Sequence, residues 1–193
     1  MAQTSTTLIA TKAHVTSITG TDISFTATAG VYTIKSTSTV LTGSVKLAVG
    51  DLITVTGTSS NNSTFTVSTV VSTLEITVSE VVTTETAGSS FTLDHVGFVS
   101  DKAKGDGYYS QPDGVHTVAY QVNSTMTGLI KMQGSLATDP DDAVDWFDID
   151  GTTAGDDSTV TATQYINFTG NFVWVRSSTN VVTGSVTKIL LNF

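Results

Sequence analysis

Two short stretches decide the fold class: Leu52-Ile53-Thr54-Val55-Thr56 and, after a polar turn, Thr64-Phe65-Thr66-Val67-Ser68. In both, apolar residues are interleaved with Thr or Ser, and a period of two places apolar side chains on one face of an extended strand. The β-branched residues Val, Ile and Thr also favour strands. These stretches therefore predict two half-buried strands.

The same pattern continues along the whole chain of 193 residues. The chain contains 38 Thr and 22 Ser but only two Pro, and it has no long stretch rich in Ala, Leu, Glu or Lys that would favour a helix. We therefore predict an all-β protein. Further strands are expected at 18–25, 31–34, 74–78, 90–93, 115–123, 127–136, 146–149, 158–166, 171–177 and 184–193.

A change in composition suggests two domains. Residues 1–100 contain no Trp, whereas residues 101–193 contain both Trp and four of the five Tyr. Between them, a polar and charged stretch with two glycines (Ser100 to Gly107) is typical of a linker, with a hinge between Asp94 and Tyr109. We predict a small β-barrel or sandwich at 1–97, a linker at 98–107 and a jelly-roll-like β-sandwich at 108–193. One continuous sandwich with an exposed loop is the alternative.

Charge and composition exclude several classes of function. The net charge is −9 and basic residues are not clustered, which argues against nucleic acid and anionic lipid as partners. With no Cys, disulfides and thiolate chemistry are excluded. No apolar run is long enough for a membrane span, and the first residues do not resemble a signal peptide.

The acidic run from Asp139 to Asp157 is the most conspicuous candidate for a site. It contains eight Asp, and calcium prefers oxygen ligands. However, Trp146 and Phe147 interrupt the spacing that an EF-hand requires, and the final Glu is missing. We therefore expect solvated loops and no metal site, although calcium binding at these loops is left open.

No catalytic or cofactor-binding residues are predicted. The chain lacks a Gly-x-Ser-x-Gly motif and a phosphate-binding loop. Asp94-His95 and Val115-His116-Thr117 are interpreted as strand ends, with His116 half-buried. On strand 171–177, Phe172, Trp174 and Arg176 would share one face. If Phe172 and Trp174 fill the core, Arg176 must lie at the strand end or pair with an acid. The chain is therefore expected not to be an enzyme and to need no cofactor.

Two segments resemble structural proteins of tailed bacteriophages. Ala48 to Val67, with Gly50-Asp51 before a strand and Phe65 and Val67 after a polar tip, resembles a small β-barrel module of phage virions. In the second half, the stretches 113–118, 130–140, 145–147 and 165–176 resemble a sandwich domain of phages that infect marine cyanobacteria. The resemblance implies a virion structural protein assembled in the host cytoplasm, with other virion proteins as partners.

Within that class, we expect a head decoration protein on the capsid exterior that forms a trimer or another closed oligomer. A neck or tail accessory protein is the close alternative. The uncharged stretch Ala2 to Ile9 is predicted to be a free tail that contacts the particle. A carbohydrate-binding module for host recognition is the alternative from a different functional class. Tyr108-Tyr109 would form its platform, although paired tyrosines at this position also suit an inter-domain contact.

Overall fold

The computed structural model describes residues 5–42, 47–109, 114–142 and 144–193, without the side chains of Asp157 and Val160. The predicted all-β fold is confirmed: in these ranges the strands pair antiparallel, and the helical structure is confined to one 3-10 turn at Asp106–Tyr109. The contacts divide the chain into two compact units, Val15–Phe98 and Met1–His14 with Val99–Phe193. We refer to them as the N-terminal unit and the C-terminal unit.

The strands are numbered in chain order. They are β1 (Ser5–Ile9), β2 (Lys12–Ala13), β3 (Ile18–Gly20), β4 (Ile23–Thr28), β5 (Val31–Ser36), β6 (Asp51–Thr56), β7 (Thr64–Ser72), β8 (Glu75–Val78), β9 (Phe91–Val99), β10 (Ala103–Lys104), β11 (Val115–Val122), β12 (Thr127–Ser135), β13 (Phe147–Asp148), β14 (Ala154–Val160), β15 (Gln164–Thr169), β16 (Trp174–Thr183) and β17 (Ser185–Asn192).

In the N-terminal unit the strands follow the order β3-β9-β6-β7-β8-β5-β4. The apolar residues that alternate with Thr and Ser in the sequence are the buried ones in these strands. Examples are Ile53, Val55, Phe65 and Val67. The rings of Phe25 and Phe65 lie 6.5 Å apart in this core. The prediction of two half-buried strands in these stretches, β6 and the first half of β7, is confirmed.

Carboxylates organise the hydroxyl-rich loops of the N-terminal unit. Asp22 accepts hydrogen bonds from the hydroxyls of Ser36, Ser38 and Thr39, each at 2.7 Å, and from the backbone N–H groups of Ser38 and Thr39. Glu85 accepts hydrogen bonds from Ser59, Ser60 and Asn61 at 2.8–3.1 Å. The polar tip after β6 is therefore tied to the residues that precede β9.

The C-terminal unit contains two antiparallel sheets. One has the order β1-β17-β11-β15, with β2 also paired to β17. The other is built on β13-β12-β16, with β10 paired to β16 and β14 paired to β12. Buried residues from both sheets form the core, including Tyr120, Met132 and Ile189. The Tyr120 hydroxyl donates to the Thr152 carbonyl at 2.8 Å, and the Thr152 hydroxyl accepts from the Met132 N–H at 3.0 Å.

The first residues do not form a free tail, so the prediction for Ala2 to Ile9 is wrong over Ser5–Ile9. Strand β1 pairs with β17, and Ile9 is buried. Residues 2–4 lie outside the described residues. Thr is β-branched and suits an edge strand such as β1. Ile9 supplies the buried apolar side chain of this strand.

The segment predicted as a linker, 98–107, is hydrogen-bonded to neighbouring strands. The last residues of β9 and all of β10 lie within it, and β10 pairs with β16. The Gly105 N–H donates to the Val173 carbonyl at 2.9 Å. The division into two domains is still a prediction. The C-terminal unit contains β1, which the sequence had assigned to the predicted domain 1–97.

Four strand predictions need correction. The expected strand 18–25 is two strands, β3 and β4, which pair with β9 and β5, respectively. The expected strand 158–166 is two strands, β14 and β15, interrupted at residues 161–163, where the Thr161 N–H donates to the Met126 carbonyl. Strand β16 begins at Trp174, so Phe172 precedes the strand on which Trp174 and Arg176 alternate. His95 lies inside β9 and not at its end.

Candidate functional site

The outer side of the β12-β16 sheet carries the densest group of charged and aromatic side chains. Trp174 and Arg176 are two residues apart on β16, and their cross-strand partners on β12 are Ser135 and Gln133. Because alternate residues share a face of the sheet, these four side chains lie on the same side. The residues that follow β12 cover them. We define these residues, 136–142 and 144–146, as the acidic loop.

Four contacts hold the acidic loop to the strands. The Trp174 Nε1–H donates to the Thr138 carbonyl at 3.0 Å, and Lys102 Nζ lies 2.9 Å from Asp139 Oδ1. Two more contacts involve Arg176, whose Nη1 lies 2.6 Å from Asp142 Oδ1 and whose guanidinium lies 4.0 Å from the Trp146 ring centroid. The expectation that Arg176 pairs with an acid is confirmed.

Arg176 itself is buried, and Gln133 Oε1 accepts a hydrogen bond from its Nε at 2.9 Å. Burial lowers the pKa of Arg176 from its ordinary value, while the Asp142 carboxylate acts in the opposite direction. A guanidinium nevertheless stays charged at any physiological pH. Arg176 is thus a permanent cation held between a carboxylate and an aromatic ring.

Other acidic residues of the run from Asp139 to Asp157 also bond to the protein itself. Lys131 Nζ lies 2.6 Å from Asp148 Oδ2. Partial burial raises the pKa of Asp148, but hydrogen bonds from Lys131 and Gln133 outweigh it, so the net pKa is lowered. The backbone N–H and hydroxyl of Ser158 lower the pKa of Asp156. Several carboxylates of the run therefore each accept hydrogen bonds from a different protein donor.

An aromatic surface lies beside Trp174. We define it as the side chains of Tyr108, Tyr109 and Trp174. The ring centroids of Tyr108 and Tyr109 are 5.2 Å apart, and those of Tyr108 and Trp174 are 5.1 Å apart, both in edge-on geometry. Tyr108 and Tyr109 are 42% and 59% exposed, whereas Trp174 is half-buried. The structure therefore places Trp174 beside the two tyrosines predicted as a sugar platform, whereas Trp146 packs against Arg176.

Close backbone packing fixes the turn that carries the two tyrosines. The Gly107 N–H donates to the Phe172 carbonyl at 2.8 Å. A Cβ at Gly105 would lie 2.3 Å from the Phe172 carbonyl oxygen, and one at Gly107 would lie 2.8 Å from that of Asn171, so neither position has room for a side chain. The turn is thus anchored by its glycines while its tyrosine side chains face solvent.

The histidines serve the packing of each unit. On β11, His116 is fully buried rather than half-buried as predicted, and its ring stacks on Phe168 with centroids 4.9 Å apart. Its Nε2 donates to the Gly170 carbonyl at 3.2 Å. In the N-terminal unit, His95 Nδ1 accepts from the Val15 N–H at 3.2 Å.

Comparisons with known proteins give no further assignment: no family model, no curated protein and no solved structure matches the chain. Within the described residues, no group of three or more His, Cys, Asp or Glu is placed to hold a metal ion. The same part of the chain contains no helix with the length and apolar character of a membrane span.

Sequence reasoning did not identify Asp142 and Trp146 as the partners of Arg176, and it missed the hydrogen bonds of the loop carboxylates Asp22 and Glu85. Asp22 and its donors Ser36, Ser38 and Thr39 are separated by a complete hairpin, so their proximity depends on β4-β5 pairing. The weak signal available was the recurrence of Ser and Thr triplets at the ends of strands, because such residues favour hydrogen bonds to nearby loop groups.

Proposed function

We propose that this chain is a non-enzymatic structural component of a tailed-phage virion, more specifically a head decoration protein on the capsid exterior, assembled in the host cytoplasm. The observation that carries the proposal is the resemblance of Ala48 to Val67 to a phage virion module. In that segment, Gly50 has a φ of 82° before β6, and Phe65 and Val67 point into the core. This agreement between motif and packing supports the proposal.

The loops of the N-terminal unit suit a structural subunit. Asp22 and Glu85 each accept several hydrogen bonds from loop hydroxyl, amide or backbone groups, which fixes loops that would otherwise sample many conformations. Glu80 holds Thr66 in the same manner, through the backbone N–H at 2.6 Å and the hydroxyl at 2.7 Å. Ordered loops reduce the entropy lost when a subunit docks onto a particle.

The charge of the chain supports an exterior position. Its net charge of −9 would repel packaged DNA, whereas it keeps a subunit soluble before assembly. The neck or tail remains the alternative position, and the experiment below distinguishes them.

A homo-oligomer is part of the proposal, and the edge of β15 supports it. Strand β15 ends its sheet and pairs with β11, and no further strand among the described residues follows it. Its sequence, Gln164 to Thr169, contains no charged residue and no Pro. An uncharged exposed edge favours pairing with another chain, since natural edges are usually protected by Lys or Pro.

Purified virions of a phage that encodes this chain test the proposal. Mass spectrometry should detect the chain in density-purified particles, and immunogold labelling should mark the head surface. Label at the neck or tail would move the chain to that position within the virion. Absence from particles, with abundant chain in the lysate, would contradict a virion role.

The oligomer is tested on the purified protein by sedimentation velocity. We expect the double variant Gln164→Lys/Asn167→Lys to sediment as a monomer, whereas the parent chain associates. A parent chain that stays monomeric at high concentration would refute the homo-oligomer. Association that is unchanged in the double variant would exclude the β15 edge as the contact.

A further inference from the structure

The aromatic surface exposes more ring area than the packing of the C-terminal unit requires. Tyr109 is 59% exposed although large aromatic side chains bury most of their area in stable cores. Neither phenol hydroxyl forms a hydrogen bond within the described residues. Exposed apolar area that is contiguous on one face of a domain is one feature of binding surfaces.

The surface is preorganised. The turn from Gly105 to Tyr109 is joined to residues 172–173 by two backbone hydrogen bonds, at 2.8 and 2.9 Å, and is closed by the Tyr108 N–H donating to the Gly105 carbonyl at 3.1 Å. Trp174 is fixed through its Nε1–H on Thr138. Because the backbone of the turn and the Trp174 ring are already held in place, a ligand would lose little binding energy to ordering them.

Cations lie over the rings. Lys104 Nζ is 4.1 Å from the Tyr108 ring centroid and 5.9 Å from that of Tyr109. Lys102 Nζ is 4.7 Å from the Trp174 centroid, and it also pairs with Asp139. Lys104 forms no ion pair with a carboxylate of the described residues, so its ammonium group is available to an anionic ligand.

We propose that the aromatic surface is a glycan-binding site, and that Lys104 selects sugars that carry a carboxylate. The apolar C–H face of a pyranose stacks on Tyr109. The sugar hydroxyls bond to the phenol groups and to Asp139, whose side chain is 95% exposed. The carboxylate of a uronic acid pairs with the ammonium of Lys104.

The charge at the centre of the surface favours a sugar over a protein partner. Cores of protein interfaces are depleted in charged residues, whereas here two ammonium groups lie directly over the rings. The proposal does not depend on the virion role, because a structural subunit needs no ligand and a glycan site needs no particle.

Affinity electrophoresis of the full chain tests the proposal, in gels that contain polygalacturonate, alginate or hyaluronate and, in parallel, their methyl-esterified forms. With a net charge of −9, the chain is repelled by polyanions, so retardation cannot arise from net charge alone. We expect retardation in at least one acidic gel and weaker retardation in the matching ester.

Variants assign the effect to named residues. Tyr109→Ala should weaken binding by about tenfold or more, since one stacked ring is lost, and Lys104→Gln should remove the preference for the acid over the ester. Matched controls are Val81→Ala in the N-terminal unit, where the valine is 74% exposed, and Lys188→Gln on β17. Melting temperatures verify that all four variants fold.

Retardation in none of the gels would overturn the proposal, as would equal retardation of Tyr109→Ala and the parent chain. If the parent chain and Lys104→Gln both bound the acidic polymer and its ester with equal affinity, the role of Lys104 would be overturned. If Tyr109→Ala instead detached the chain from virions while no gel retarded the parent, the surface would be a protein contact and the glycan proposal would be wrong.

Discussion

The guanidinium of Arg176 lies 4.0 Å from the ring centroid of Trp146. This contact joins the start of β16 to the end of the acidic loop, and the Arg176–Asp142 pair, at 2.6 Å, supports it from the same loop. One buried cation therefore supplies two of the four contacts that hold the acidic loop onto the sheet. An acidic, hydroxyl-rich sequence with few apolar loop residues can be held in this way.

Removing that cation should release the acidic loop. We expect Arg176→Ala to lower the free energy of unfolding by about 1 to 3 kcal/mol, because the charged hydrogen bonds and the stacked ring are lost together. Urea denaturation measures the loss, and Trp146 fluorescence should shift to longer wavelength. Lys131→Ala is the matched control, since its pair with Asp148 is more exposed and is worth less than about 1 kcal/mol. Equal effects of the two variants would contradict a special role for Arg176.

The hydroxyl of Tyr120 should contribute to stability in a manner that depends on pH. Burial raises the pKa of Tyr120 above its ordinary value of about 10, so its neutral form is favoured in the folded chain. The associated stability is present below about pH 10 and is lost as the pH rises further. Tyr120→Phe should cost about 1 to 2 kcal/mol at neutral pH, because the Thr152 carbonyl loses its donor.

Chemical denaturation at pH 7 and above pH 10 measures this effect. Over that pH interval, the free energy of unfolding should decrease less for Tyr120→Phe than for the parent chain. A variant as stable as the parent at neutral pH would show that the hydroxyl contributes nothing to folding.

Acid should weaken the N-terminal unit through Asp22. Hydrogen bonds from Thr39, Ser36 and Ser38 hold the pKa of Asp22 far below its ordinary value. Since the folded pKa is lowered, the stability from this carboxylate is present above about pH 4 and is lost as the pH falls below it. Asp22→Asn should thus be less stable than the parent at pH 6, and the difference should narrow toward pH 2. A difference that is independent of pH would contradict the ionised state of Asp22.

Deletion of residues 1–9 should destabilise the C-terminal unit. The deletion removes β1 from the edge of β17 and the buried side chain of Ile9, whose loss alone is worth about 2 to 5 kcal/mol. Ile9→Ala isolates the side-chain contribution, and deletion of residues 1–4 is the control that leaves β1 intact. Calorimetric melting compares the three. Unchanged melting after removal of residues 1–9 would show that β1 is dispensable.

Chelator should leave the melting temperature almost unchanged. Asp139, Asp142 and Asp148 accept hydrogen bonds from Lys102, Arg176 and Lys131, so three of the eight carboxylates of the acidic run are already paired with protein cations. Thermal melts with and without EDTA measure the effect. A decrease of more than about 10 °C would show that a bound ion stabilises the chain.

The sequence by itself determined the fold class and the buried faces. Alternation of apolar residues with Thr and Ser fixed which side chains of β6, β8 and the first half of β7 enter the core, because a strand has a period of two whatever it pairs with. Strand positions were also predictable, with errors at the ends, as for β9, which continues to Val99 where the prediction stopped at Leu93.

Only the tertiary structure decided which strands pair and which charges meet. Ser5–Ile9 pairs with the last strand of the chain, and Arg176 meets Asp142 and Trp146 across a loop. The aromatic surface forms because Gly105 and Gly107 let one turn approach the backbone before β16. Local pattern carries no information on such contacts, since their energy depends on distances between residues that are remote in sequence and near only after the sheets have formed.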